Sequence, residues 1–188
     1  MSVTEATTMR ELPLETGNWS LDPTHSSVLF SIRHFGLAKV RGRFDRFDVT
    51  LGIGSTLAET RVAAVIDLDS IDTNNADRDA HLRGTDFFST ERHPTMRFVS
   101  TQISGADDEL QLSGLLTLNG STRPITLDVE FHGVQEVLGE TTRHVGFSAT
   151  GSLKRSEFGI DFGMIIDTLA LTDDVTIELD LEFIEPQD

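Results

Sequence analysis

The sequence predicts an all-β fold, a closed antiparallel β-barrel of about eight strands with a short helical insertion. Three observations lead to this prediction. Apolar and polar residues alternate with period two over most of the chain, turn residues separate the alternating runs at short intervals, and a single helical stretch interrupts them. A sandwich would fit the same pattern, but closure into a barrel leaves no unpaired strand edge, so we favour the barrel.

The alternation assigns one inward-facing row of side chains to each predicted strand. The clearest row is the last, in which every second residue from Val175 to Phe183 is apolar and the residues between them are Thr, Glu or Asp. Corresponding rows begin at residues 28, 62, 110, 125 and 145. Between Val40 and Leu51 the apolar parity changes from even to odd numbers, which predicts a bulge near Asp45 and Arg46 in a curved strand.

The helical insertion is predicted over Asn75 to Arg83 and again over Asp86 to Thr90, between Asn74 and Pro94. Four glycines interrupt the strand rows, where they predict either tight coiling of the barrel or open space inside it. These glycines are Gly42, Gly114, Gly146 and Gly151.

Composition excludes several classes of protein. The 188 residues include no cysteine and carry a formal net charge of −16, so we expect neither a disulfide framework nor a nucleic-acid partner. The length favours one barrel domain over residues 18–186, preceded by a flexible arm over residues 1–17. Because the first 17 residues contain no apolar stretch typical of a signal peptide and no run is long enough to span a bilayer, we expect a cytoplasmic protein without an integral membrane segment.

Motifs for catalysis and metal binding are missing from the sequence. None of the six histidines is paired at the short spacing of a local metal site, and the run Gly146 to Thr150 lacks the second glycine of an esterase nucleophile elbow. Tyrosine is absent, which excludes a phenolic acid or base. We therefore expect no metal, no cofactor and no enzymatic activity, and we favour a binding function.

Two polar segments break the alternation, and each has two interpretations. His34 lies in phase with the apolar face of its strand, where it either bonds a buried carbonyl or faces a ligand. The stretch from Asn74 to Phe88 is either a charge-paired surface helix or a lid that closes over a cavity. The cations Lys39, Arg41 and Arg43 also allow two interpretations, a solvated outer strand face or a site for an anionic head group.

The same segments resemble the YceI-like family in four stretches that occur in the family's order across residues 19–185. The first is Trp19 to Ser26 with Phe30 to His34 and Val40 to Phe44, the second runs from Asn75 to Pro94, the third is Gly114 to Gly120 with Thr122 to Pro124, and the fourth is Gly146 to Ala149 with Arg155 and Phe158-Gly159. The resemblance implies a lipocalin-like barrel around an elongated apolar pocket that holds a long isoprenoid, quinone-like or fatty-acyl chain.

Together these observations predict a carrier or sequestering protein for an amphipathic long-chain lipid, and we expect it to form a homodimer. The alternatives are an enzyme that uses His34 or His81 as a general base on a lipid-like substrate, and a filled-core scaffold that binds a basic partner through its acidic outer strand face. The predicted tail contacts are Phe30, Ile32, Phe44, Phe98, Leu116, Phe147 and Phe158. The predicted polar end consists of His34, Arg78 and His81, and the predicted lid contributes Leu82, Phe87 and Phe88.

Overall fold

A computed structural model describes residues 13–106, 108–137, 142–160 and 171–187. The described residues form eleven strand segments, one α-helix and two short 3-10 turns at Leu68–Ser70 and Arg155–Phe158. The helix α1 spans Ala76–Arg83. The strands are β1 Gly17–Leu21, β2 Ser27–His34, β3 Ala38–Phe44, β4 Phe47–Ile53, β5 Arg61–Asp67, β6 Ile71–Asp72, β7 Thr95–Ala106, β8 Glu109–Leu118, β9 Ser121–Glu136, β10 Arg143–Lys154 and β11 Asp174–Ile184.

These segments build a closed antiparallel barrel of eight strands, as the sequence predicts. Three of the eight positions are each shared by two segments of one interrupted strand, namely β1 with β2, β3 with β4, and β5 with β6. Each strand pairs with the next along the chain, and β11 closes the ring by pairing with β10 on one side and with β2 and β1 on the other. A closed ring has no free edge for another chain to extend.

The predicted bulge is confirmed at Asp45 and Arg46, which separate β3 from β4. The backbone amide of Asp45 donates to the Ser70 carbonyl at 3.1 Å, and that of Arg46 donates to Ser70 Oγ at 3.0 Å. Ser70 therefore satisfies the donors that leave the strand ladder, and Phe44 and Phe47 both contribute to the interior on either side of the break.

The helical insertion is confirmed over Ala76–Arg83, but the second predicted stretch, Asp86 to Thr90, forms turns instead. The Asn75 side chain accepts from the Arg78 amide and begins the helix, as the residue type favours. Gly84 ends it in an extended conformation, and Ser89 has a left-handed φ of 49°, so the chain after Gly84 cannot continue as a helix. Among the described residues, no helix is long and apolar enough to cross a membrane.

Two of the four glycines that interrupt the strand rows, Gly42 and Gly114, have a packing reason that the sequence did not reveal. A Cβ at Gly42 would lie 2.4 Å from the Phe30 ring, and a Cβ at Gly114 would lie 2.3 Å from the Phe98 ring. These glycines therefore make room for phenylalanine rings of the neighbouring strands rather than leaving open space.

The chain before the barrel packs against it where it is described. Leu14 contacts the core cluster around Trp19, and the Trp19 indole donates to the Glu15 carbonyl at 2.9 Å. Strand β1 begins at Gly17. The division into an arm and a barrel domain stays a prediction, since residues 1–12 lie outside the described residues.

Candidate functional site

The barrel encloses a cavity of about 920 Å³. All eight strand positions contribute inward-facing side chains, and nearly all of these are aliphatic or aromatic. Its volume lies at the upper end of the range of about 300–1,000 Å³ that small-molecule sites usually occupy. The inward rows predicted from period-two alternation thus supply the cavity wall.

Twelve of the thirteen predicted site residues line this cavity, and Phe158 does not. The twelve are Phe30, Ile32, His34, Phe44, Arg78, His81, Leu82, Phe87, Phe88, Phe98, Leu116 and Phe147. Phe158 lies in the 3-10 turn after β10, is 1% exposed and packs in the core next to the wall. Strand alternation ends at Lys154, so the parity argument no longer applies to Phe158, and we remove it from the tail contacts.

One end of the cavity carries almost all of its polar groups. We call it the helix end, because α1, the β2–β3 hairpin and the 3-10 turn at Arg155–Phe158 lie there. Six of the seven polar residues that line the described wall belong to this end, namely His34, Thr73, Arg78, His81, Asp86 and Arg155. The other is Thr60, in the loop between β4 and β5.

The opposite end, which we call the loop end, is closed by apolar side chains. Leu57 from the β4–β5 loop is 5% exposed and packs in one cluster with Ile103 and Leu110. The Thr60 hydroxyl donates to the Thr56 carbonyl at 3.1 Å and accepts from the Gly54 amide at 3.2 Å, which satisfies the polar groups of this loop. A chain that entered from the helix end would therefore meet a floor that is apolar except for Thr60, whose hydroxyl is already hydrogen-bonded.

Arg78 is held at the cavity wall by a short hydrogen-bond network. Its Nε donates to Thr73 Oγ1 and its Nη2 to the Thr73 carbonyl, each at 2.7 Å. Thr73 in turn donates from its amide and hydroxyl to Asp79 Oδ1 at 2.9 and 2.5 Å, and Asp79 is only 7% exposed. Within the described ranges no carboxylate lies within 4.0 Å of the Arg78 guanidinium, so its charge remains available to a ligand.

His81 and the turn that follows α1 form the rest of the predicted lid. The imidazole lies edge-on to the Phe87 ring, with 4.9 Å between the centroids, and its Nε2 is 3.8 Å from Asp86 Oδ2. Both members of this ion pair are largely exposed, so it contributes little to stability. Leu82, Phe87 and Phe88 face the cavity together with Arg78 and His81, which is the arrangement that the lid interpretation predicts.

Arg155, Thr73 and Asp86 also line the cavity, although they were not among the predicted site residues. Arg155 is 7% exposed and donates to the carbonyls of Ile160, Thr172 and Leu171 at 2.9, 3.1 and 3.4 Å. The sequence does single out Arg155, with Lys154, as one possible place for an anionic head group, since Arg155 is the last cation of a chain whose later charged residues are all acids.

A second group of titratable residues lies outside the cavity. The carboxylates of Asp22 and Glu182 and the imidazole of His144 place one ligand atom each within 4.8 Å of one another. His25 Nδ1 donates to Asp22 Oδ2 at 2.9 Å, and His144 pairs with Glu182 at 2.6 Å. These residues are far apart in sequence, so spacing arguments could not detect the group. The expectation of no metal stays a prediction.

The pair formed by Asp22 and His25 predicts a pH dependence of stability. The hydrogen bond from His25 lowers the pKa of Asp22, and the same bond raises the pKa of His25. The Asp22 contribution is present above its ordinary pKa of 3.8 and is lost as pH falls through its lowered pKa in the folded protein. The His25 contribution is present below its ordinary pKa of 6.5 and is lost as pH rises through its raised pKa.

We therefore expect His25→Gln to lower the free energy of unfolding most at about pH 5, between the two ordinary values, and progressively less above the raised pKa of His25. Urea unfolding across this pH range measures the difference. Asp22→Asn should lose this part as well as the contribution of the charged acceptor to the Thr24 amide, and the double variant should lose no more than Asp22→Asn, because the pairing is already gone. A difference that stays constant over the whole pH range would contradict the pairing.

Comparison with known proteins assigns the fold to a family. The model of the YceI-like domain matches residues 19–183. A UPF0312 protein of Staphylococcus epidermidis is 38% identical over 168 residues, which cover 88% of this chain and 96% of that protein. A UPF0312 protein of Staphylococcus aureus is 36% identical over 169 residues, with the same coverage.

Two solved structures share the barrel. BcnA of Burkholderia cenocepacia superposes with a TM-score of 0.75 at 24% identity, covering 86% of this chain and 98% of BcnA. A polyisoprenoid binding domain from Saccharophagus degradans superposes with a TM-score of 0.65 at 20% identity, covering 92% of this chain and all of that domain. The barrel, the order of the sequence motifs and the match over nearly the whole barrel lead to one conclusion: this chain belongs to the YceI-like family.

Proposed function

We propose that this protein is a non-catalytic carrier or sequestering protein for a long isoprenoid or acyl lipid. The observation that carries the proposal is the polarity of the cavity, which is mainly apolar from its floor at Leu57 upward and carries six of its seven polar lining residues at the helix end. An amphipathic ligand matches this gradient when its chain lies in the barrel and its head group lies near Arg78. The polyisoprenoid-binding domain of Saccharophagus degradans, which shares the fold, is consistent with such a ligand.

The energetics favour binding of a chain without specific polar contacts. Burial of apolar surface contributes about 25 cal/mol per Å², so a chain that fills a cavity of this kind gains several kcal/mol from its tail alone. The head group then determines selectivity, since a charge-assisted hydrogen bond to an arginine is stronger than a neutral one.

The experiment that tests this proposal is extraction of natively purified protein with organic solvent, followed by mass spectrometry. We expect close to one lipid per chain, with an isoprenoid or acyl tail. An empty protein that also ignores prenyl and acyl probes added in solution would contradict the proposal.

The head-group position predicts a selective effect of Arg78→Met. Affinity for a long-chain fatty acid should fall by about tenfold or more, because a charge-assisted hydrogen bond is lost, whereas affinity for the alcohol of the same chain length should change little. Competition against a fluorescent acyl probe measures both. Arg97→Met, which removes an exposed cation outside the cavity, is the matched control. Equal weakening of acid and alcohol would contradict the assigned position of the head group.

The enzyme hypothesis receives less support from the site. A general base needs a group that positions it for proton transfer. His81 Nε2 lies 3.8 Å from Asp86 Oδ2, and both side chains are largely exposed. The ring contact found for His34 is with Phe35. A bell-shaped pH–rate profile that is lost in His34→Ala would favour the enzyme. The scaffold hypothesis requires a barrel filled by side chains, which a cavity of about 920 Å³ does not support.

Two further expectations accompany the proposal. The cytoplasmic location stays a prediction that fractionation of cells tests, and the homodimer stays a prediction that sedimentation velocity tests. Neither affects the assignment of the cavity to an apolar chain.

A further inference from the structure

The tip of the β2–β3 hairpin exposes two large apolar side chains. Leu37 is 85% exposed, more than any other large hydrophobic residue in the described part of the chain, and Phe35 is 55% exposed. Single exposed apolar residues are ordinary, but two at the tip of one turn form a protrusion that water solvates poorly. The core of the barrel does not use either side chain.

The conformation of the tip does not favour phenylalanine either. The Leu37 amide donates to the His34 carbonyl at 3.0 Å, and the two residues between them, Phe35 and Gly36, have left-handed φ values of 50° and 66°. A two-residue turn of this kind favours Asn-Gly, and a bulky residue at the first position is strained. The Phe35 ring makes an edge contact with the His34 ring, with 4.4 Å between the centroids, yet Phe35 stays more than half exposed. Strain of this kind is typical of functional positions.

Three cations lie beside the apolar tip on the outer face of the same hairpin. Arg33 and Lys39 are directly opposite each other, and Arg41 is opposite Ser31. No carboxylate of the described residues lies within 4.0 Å of these three, whereas Arg43, further from the tip, pairs with Asp45 and Asp72. Like charges opposite each other do not stabilise a hairpin. In a chain with a net charge of −16, this positive surface therefore requires another explanation.

We propose that this basic hairpin, residues 33–41, docks onto an anionic lipid bilayer. Phe35 and Leu37 enter the boundary between head groups and acyl chains, and Arg33, Lys39 and Arg41 contact lipid phosphates. This inference rests on the proposed lipid-carrier function, and it names an anionic bilayer as the partner of the carrier. Ile32, His34 and Val40 of the same hairpin line the cavity, so docking brings the polar helix end to the bilayer surface where a lipid would leave or enter.

Co-sedimentation with vesicles tests docking directly. Vesicles of phosphatidylcholine alone should bind weakly, and vesicles that also contain phosphatidylglycerol should bind at least about tenfold more tightly, because each cation near an anionic surface adds attraction. High salt should remove most of this difference.

Three variants separate the contributions to docking. Phe35→Asn should lower vesicle binding by about tenfold or more while the melting temperature stays equal or rises, since asparagine suits the left-handed turn. A triple variant, with Arg33, Lys39 and Arg41 each changed to Gln, should lose the preference for phosphatidylglycerol. Leu115→Asn, which changes an exposed apolar residue on the outer face of β8, is the matched control and should bind vesicles like the wild type.

Uptake of a prenyl probe from solution distinguishes failure of docking from failure of the proposed function. We expect Phe35→Asn to take up the probe like the wild type. A wild-type protein that takes up the probe but sediments with neither kind of vesicle would overturn the docking proposal alone. Equal loss of vesicle binding in Phe35→Asn and Leu115→Asn would overturn it as well, because binding would then not depend on the hairpin.

Discussion

Phe147→Asp should abolish uptake of prenyl and acyl lipids, with a loss of affinity of at least about 100-fold. Phe147 lines the cavity and packs against Phe131 and Phe183, with ring centroids 5.5 and 6.2 Å apart. A carboxylate here would have no polar partner once a chain fills the barrel, and an unpaired polar group in an apolar site costs about 2–7 kcal/mol. Titration with a fluorescent prenyl probe measures the change.

Val99→Asp is the matched control for Phe147→Asp. Val99 is 56% exposed on the outer face of β7, so the same kind of charge enters a strand without entering the cavity. We expect its probe affinity to equal that of the wild type, and melting curves of both variants show that they are folded. Uptake that is unchanged in a folded Phe147→Asp protein would refute the placement of the chain in the barrel.

Trp19→Ala should have the largest effect on stability, a loss of about 3–5 kcal/mol in the free energy of unfolding. Trp19 is 2% exposed and packs in one cluster with Val145 and Phe183. It also lies on β1, which pairs with β4 and through only two residue pairs with β11, so a cavity at this position would weaken closure of the barrel.

Urea unfolding measures this loss, with Val99→Ala as the exposed control. Val99→Ala removes apolar side-chain atoms from the barrel surface, and we expect it to change stability by less than about 0.5 kcal/mol. A loss below about 1 kcal/mol for Trp19→Ala would show that the cluster does not hold the ring closed.

Much of the fold follows from period-two alternation alone. A closed barrel with one buried face requires the same alternation in every strand, and the rows that begin at Val28, Val62 and Val175 therefore predict the cavity wall directly. The parity change near Asp45 locates the strand break for the same reason. The alternation rule says nothing about irregular backbone, where Phe158 packs in the core beside the cavity wall. The helical prediction for Asp86 to Thr90 was wrong, because the left-handed conformation of Ser89 does not fit a helix.

The parts of the site that the sequence could not predict depend on contacts between distant segments. Leu57 belongs to a loop whose sequence indicates only a turn, yet it closes the floor of the cavity against Ile103 and Leu110. Arg155 reaches its position through carbonyls that follow it in irregular backbone. The grouping of Asp22 with His144 and Glu182 likewise appears only when the ring closes.

A crystal structure of the natively purified protein, with the interior of the barrel inspected for residual density, tests the central claim most directly. We expect continuous density for a chain that runs from near Phe147 to a head group beside Arg78. A barrel whose interior holds only side chains, or density whose polar end lies at Leu57, would contradict it.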